Sequence, residues 1–343
     1  MKRSGGASSP LYATVGRLVV AGVRYIAHAL LQKRYIAKPP SKAVFSFRRE
    51  AKQLALQRLQ SNEFRSQPTL LRALYFAGHA DFSSATFSGS AGFSGANFSD
   101  FTDFRSATFS GVDCGAVSFE EATFHFVHFD AAVFSGIASF QSATFSDHAF
   151  FISTTFGNDA YFSKATFSKA GFMSATFARD AVFMWATFSD VSFNKATFSD
   201  KSNFYFATFS YWADFSLATF SGDAIFASKF GGENPTRPKC ANFTSATFLK
   251  SADFDTATFS KPVNFVSATF ADPTDFTLTQ FCGGADFASA RFSGTIKFLD
   301  AQFASMTTFA KADFAATCRI FAGRKCTRPL NGMTATGWRL RTT

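Results

Sequence analysis

No proline falls between Phe82 and Phe226, so nothing in that stretch removes a backbone donor from a ladder of strands. No apolar run reaches the roughly 18 residues of a membrane-spanning helix. The five cysteines, at 114, 240, 282, 318 and 326, form no CxxC pair and no dense framework, which excludes a zinc ribbon or a disulfide scaffold. Trp (3) and Tyr (7) are scarce, so the high aromatic content is not that of a general aromatic-rich core. GxSxG, P-loop, HExxH and dinucleotide-binding signatures are all missing, which leaves no recognisable catalytic motif. Acidic residues are missing from 1–49 altogether.

What is present is phenylalanine, 51 of 343 residues. From Phe82 the Phe positions advance by steps of five or six residues to Phe226, with Cys114 read as occupying one slot. The series resumes at Phe243 and reaches Phe314, with Ile320 in the last slot. Helical periodicity would add apolar residues at spacings of three and four, and these are missing. Ala precedes most slots by two residues, as at Ala165, Ala175 and Ala186. Thr, Asp or Asn comes directly before the Phe, and Ser usually follows it.

Alternation along an extended backbone places Ala and Phe on one side and the polar residues on the other. The fifth residue must then turn the chain. A short strand and a corner, repeated, wind into a solenoid whose coils stack because one repeat cannot bury its own apolar face. Phe162, Phe167, Phe172, Phe177, Phe183, Phe188, Phe193 and Phe198 are the expected interior ladder. Only Phe156 and Phe230 are followed by Gly, and the regular Ala would be without a role in a disordered Phe-rich chain.

These tandem Ala–polar–Phe–Ser–x units resemble the pentapeptide-repeat proteins, in their Phe-rich variety, over about 250 residues. The resemblance implies a right-handed quadrilateral β-helix with four units per coil. About 11 coils at a strand spacing of about 4.8 Å would make a rod of roughly 50 Å. The six-residue steps depart from the five-residue unit and read as bulges at corners.

The expected organisation is a basic helical extension over 1–70, the solenoid over 71–321 with a projecting loop at 231–240, and a basic tail over 322–343. The net charge of +10 belongs to the ends: residues 1–75 carry 14 basic and 2 acidic residues, and 319–343 carry 6 basic and none acidic. The repeat body is acidic, and in 76–160 Arg105 alone faces nine acids. Direct nucleic-acid binding by the body is therefore not expected. Residues 11–37 place Arg17, Arg24 and His28 on one helical face and Leu18, Val19, Val23, Ile26, Leu30 and Leu31 on the other. That segment reads as a cap on the solenoid end, an organelle-targeting segment or a membrane-surface helix. A cytoplasmic location is expected, with organelle or peripheral-membrane placement as the alternative.

Candidate functional residues lie outside the slots. Met184, Trp185, Tyr205, Phe206, Tyr211 and Trp212 should form one exposed aromatic cluster, and Arg237 and Lys239 sit in the loop. His125, His128, Asp130, Asp147 and His148 form the densest set of ligand-type side chains, read as solvated rather than metal-binding. Thr166, Thr176, Thr187, Thr197 and Thr208 should form outward hydroxyl ladders. The overall expectation is a noncatalytic, cofactor-free scaffold for a protein partner, with homodimerisation open. Some members of the resembled family mimic DNA to bind type II topoisomerase, and a water-ordering or ice-binding surface is a further alternative.

Overall fold

The computed structural model describes residues 73–110, 116–231 and 241–315, together with the backbone of Thr69–Leu70 and Ile320–Ala322. Among the described residues every regular element is a β-strand, and the strands pair in parallel from coil to coil. The chain winds through about ten turns. The expected helical extension, the 231–240 loop with Arg237 and Lys239, and the basic tail lie outside the described residues, apart from Gly231 and the strand backbone at Thr69–Leu70 and Ala322.

Four stacks of Phe, one per face, fill the interior. On face one the stack runs from Phe93 to Phe298 and on face two from Phe76 to Phe303. Face three runs from Phe82 to Phe309 and face four from Phe87 to Phe314. Rings one coil apart lie nearly parallel, with centroids from 4.5 Å (Phe145–Phe167) to 5.4 Å (Phe259–Phe281). Rings on the opposed faces one and three meet edge to face, as in Phe140–Phe151 at 5.6 Å and 90°. Both arrangements suit the ring quadrupole. The eight expected ladder residues from Phe162 to Phe198 are all fully buried.

Two details of the slot series are corrected. Cys114, read as a slot, lies outside the described residues, and the slots around it leave no place vacant. Phe93 stacks on Phe119 at 4.8 Å and Phe109 on Phe134 at 4.6 Å, so Phe109 and Phe119 are consecutive slots with extra chain between them. A fixed step of five had hidden that insertion. Phe230, outside the expected series, does occupy one: it stacks on Phe209 at 4.6 Å and on Phe259 at 4.7 Å. A four-residue step from Phe226 reaches it because the usual corner is shortened there. The interruption therefore falls between Phe230 and Phe243.

The extra residues are not spread over all corners. Apart from the four-residue step from Phe226, steps that leave faces one and three are five residues long, as in Phe183 to Phe188 and Phe193 to Phe198. At nearly all of these corners the residue two beyond the Phe has positive φ, between 54° at Asp300 and 64° at Gly95. The amide of the next residue then donates to the Phe carbonyl, as in Ala186 to Phe183 at 3.1 Å and Ala196 to Phe193 at 2.9 Å. This is a type II turn, closed by four residues, and it leaves no room for an insertion. Six-residue steps leave faces two and four, where the backbone is looser. From face two to face three it even continues as one strand in Asn97–Asp103, Thr123–His128, Thr144–Phe150, Thr166–Gly171, Thr187–Ser192 and Thr208–Asp214. Register shifts between Phe98 and Phe101, and between Phe145 and His148, absorb the extra residue as bulges.

Candidate functional site

The interior is closed by Phe and Ala, so chemistry and recognition are confined to the outside. Trp185 and Phe206 occupy equivalent corners of successive coils, at φ 61° and 55°. A side chain at a left-handed corner points away from the core. Trp185 is 52% exposed, Phe206 46% and Tyr205 38%. The Trp185 and Phe206 rings lie 4.4 Å apart, and Tyr205 meets Phe206 at 4.1 Å. The Trp185 amide donates to the Tyr205 carbonyl at 3.0 Å, which ties the two corners together. Met184 is half-buried beside them. A non-glycine residue in this conformation costs about 1–2 kcal/mol, so two bulky aromatics here are held at a backbone cost without filling the core.

Tyr211 and Trp212 do not join that patch. They lie on Thr208–Asp214, where the chain passes from face two to face three, and Trp212 is in register with Asp190. The expected single aromatic cluster is thus two. Residues two beyond a face-one slot and three beyond a face-two slot are close in sequence but leave the rod at different corners. Trp212 lines a shallow apolar depression with Phe150, Lys169, Gly171 and Met173. Gly171 leaves that floor open: a Cβ there would stand 3.2 Å from Phe150 Cδ1.

A third feature was not expected from the sequence. Phe101, Phe126 and Phe150 are half-buried on the outside of the same long strands, one coil apart. Phe101 meets Phe126 at 5.4 Å, and Phe126 meets Phe150 at 5.8 Å. His79 packs on Phe101 at 4.9 Å and His128 on Phe150 at 4.8 Å, while His148 lies 5.5 Å from Phe126. The signal was available: these are off-slot Phe residues, set three or one before a slot. Only the coil register shows that they stack.

The histidines are engaged by neighbours. His128 Nδ1 bonds Asp130 at 2.5 Å, and His148 Nδ1 bonds Asp147 at 2.7 Å. His125 is exposed beside Ser146. Among the described residues no group of three or more His, Cys, Asp or Glu side chains could hold a metal ion. Arg105 chelates Asp103, with Nη2 to Oδ2 at 2.6 Å, and this contact raises the guanidinium pKa further. The expected hydroxyl ladders are in place: Thr155, Thr176, Thr197, Thr219, Thr247 and Thr269 align coil by coil on face four.

Further along, Asp253, Asp275 and Lys297 align on face one. Burial pushes Asp253 above the usual carboxylate value, against the Asp255 amide that donates to it. Burial also acts on Asp275, but hydrogen bonds from Lys297 (2.8 Å) and Thr277 outweigh it and hold that carboxyl low. Ionised Asp253 therefore weakens the fold, and protonation relieves this as pH falls through its raised pKa. Ionised Asp275 supports the fold, and that support is lost only at lower pH, below the ordinary carboxylate range. Asp253→Asn should raise the melting temperature at pH 7. Its advantage should shrink on acidification and vanish below about pH 4, the ordinary carboxylate pKa. Melting curves across that range check it.

No curated protein matches the chain. The family profile described as pentapeptide repeats (9 copies) matches residues 129–174 and 254–302, and that described as pentapeptide repeats (8 copies) matches 100–136. These are stretches of four-sided coil, with Phe inside and polar residues outside. The chain carries the repeats of the pentapeptide-repeat family, whose β-solenoids are generally noncatalytic scaffolds for protein interaction.

Proposed function

We propose that this chain is a noncatalytic scaffold that docks a protein partner on the corner formed by Met184, Trp185, Tyr205 and Phe206. The observation that carries this reading is the exposed stack of Trp185 on Phe206 at left-handed corners. The rod keeps the two rings in fixed relation, so little side-chain freedom is lost on binding. Large rigid aromatics are the residues that most often dominate interface energies. Affinity capture with the full chain, compared with a Trp185→Ser/Phe206→Ser variant of unchanged melting temperature, tests it. A partner retained by the first and lost by the second is expected. An identical set of partners from both would refute this docking site.

The aligned Thr column on face four favours a second reading, a surface that orders water or binds ice. Thermal hysteresis in purified protein would support it, and its absence would remove it. The acids of 76–160 are compatible with a DNA mimic, although Asp103, Asp130 and Asp147 are each engaged by a basic or His side chain. A supercoiling assay with no effect on a type II topoisomerase would dispose of that alternative.

A further inference from the structure

The outer strip on faces two and three combines apolar rings with acidic surroundings. His79, Phe101, Phe126, His128, His148 and Phe150 supply the rings. Asp81, Asp100, Asp130, Asp147 and Asp190 lie on the same two faces, where the basic residues between His79 and Gly171 are Asp103-bound Arg105 and Lys169. Such a strip calls for an occupant that is apolar on one side and basic on the other.

We infer that the strip is covered by the chain's own residues 11–37. Four observations point to this segment. Its sequence sets Val19, Val23, Ile26 and Leu30 opposite Arg17, Arg24 and His28 on a helix, and residues 1–49 contain no acid. The charge contrast matches: the strip lies largely within 76–160, where Arg105 alone faces nine acids. The dimensions match as well. As a helix, Leu18–Leu31 would extend about 20 Å at about 1.5 Å per residue. From His79 to Gly171 the strip crosses four coil spacings, about 19 Å at about 4.8 Å each. Continuity also favours it, because the segment precedes the first coil, whose strand Thr69–Leu70 pairs with Ala91–Gly92. The 38–68 connection can reach about 100 Å when extended, so it imposes no restriction.

This occupant is a lateral cover, distinct from a cap on the coil end and from a membrane anchor. It lies at the corner between faces two and three, while Trp185 and Phe206 lie at the corner between faces one and two, so it goes beyond the proposed function and can fail independently. Zero-length carbodiimide cross-linking of the full chain, read by mass spectrometry, tests it. Links from Lys33 or Lys38 to Asp100, Asp130 or Asp147 within one chain are expected. Phe126→Ser/Phe150→Ser should reduce their yield about tenfold, as for removal of two anchor side chains. Leu18→Ser/Ile26→Ser, which leaves the solenoid sequence intact, should do the same. Phe206→Ser should not. Mixing isotopically heavy and light protein separates the sources: links joining heavy to light would make the occupant a second copy and overturn the inference. Absence of these links, or capture of the chain by anionic vesicles with strip variants unaffected, would overturn it equally.

Discussion

Truncation of Phe188 to Ala should destabilise the solenoid by about 3–5 kcal/mol. The ring is fully buried and stacks between Phe167 at 4.9 Å and Phe209 at 5.1 Å. It also meets Phe183 at 6.0 Å and Phe193 at 6.2 Å on the adjoining faces. Collapse into the vacated space is opposed from every side. The backbone around it is held by inter-coil hydrogen bonds such as Thr187 to Ala165 and Thr208 to Ala186, both 2.9 Å. Its neighbours are rings already in contact, with no flexible side chain to swing in. The cavity therefore persists, and the full cavity penalty applies. Because each coil contacts only its neighbours, the loss should appear first as local opening. Hydrogen exchange should accelerate at Thr166, Phe167, Thr208 and Phe209 before the ends of the rod respond. Unchanged exchange there, with unchanged denaturant midpoint, would contradict the interior stacking.

Enlarging Ala186 to Leu should cost about 1–3 kcal/mol or more. The position two before the Phe is occupied differently on alternate faces. On faces one and three it accepts Val117, Val127, Val191, Val263 and Ile296 as well as Ala, all buried. On faces two and four it is Ala almost throughout, as at Ala143, Ala165, Ala186 and Ala207. Thr154 and Thr279 are exceptions there, and each donates its hydroxyl to a Phe carbonyl, at 2.7 Å to Phe129 and Phe254. Ser228 does likewise to Phe204. The physical difference is the turn. On faces two and four the residue is the last of the type II turn, pressed against the Phe carbonyl it has just bonded. On faces one and three it follows a looser corner. Ala160→Val, on face one, should thus be nearly neutral while Ala186→Leu is not. Equal losses in the two variants, measured by denaturant unfolding, would refute this account of the two Ala rows.

Much of this architecture is legible in the sequence because one residue type carries it. Phe recurs at a spacing that only a corner-and-strand chain can use, and Ala two positions earlier shows which side is inside. The outward placement of Trp185, Tyr205 and Phe206 follows from the same alternation. The location of the six-residue steps is not legible, since it depends on which corners close a hydrogen-bonded turn. Cys114 and Phe230 fail for a related reason: spacing is a guide to slots only while each corner has its usual length. Nor can alternation alone bring Phe101, Phe126 and Phe150 together or part Trp185 from Trp212. Those relations need the coil register, which sets residues 21 to 25 positions apart side by side.

The interruptions at 110–118 and 231–242 acquire a role from this uniformity. Consecutive coils are nearly interchangeable, so a strand pairing displaced by one whole coil would still set Phe on Phe and Ala on Ala. Burial energy alone barely separates the correct winding from its translated copies. What separates them is the set of places where the symmetry is broken: the long interval after Phe109, the short step to Phe230 and the long interval to Phe243. A displaced winding would have to stretch across the first or crowd the second. These irregularities work as phase marks on an otherwise unnumbered ruler, and shortening either interruption to a regular step should increase misaligned windings during refolding even where the finished rod is just as stable.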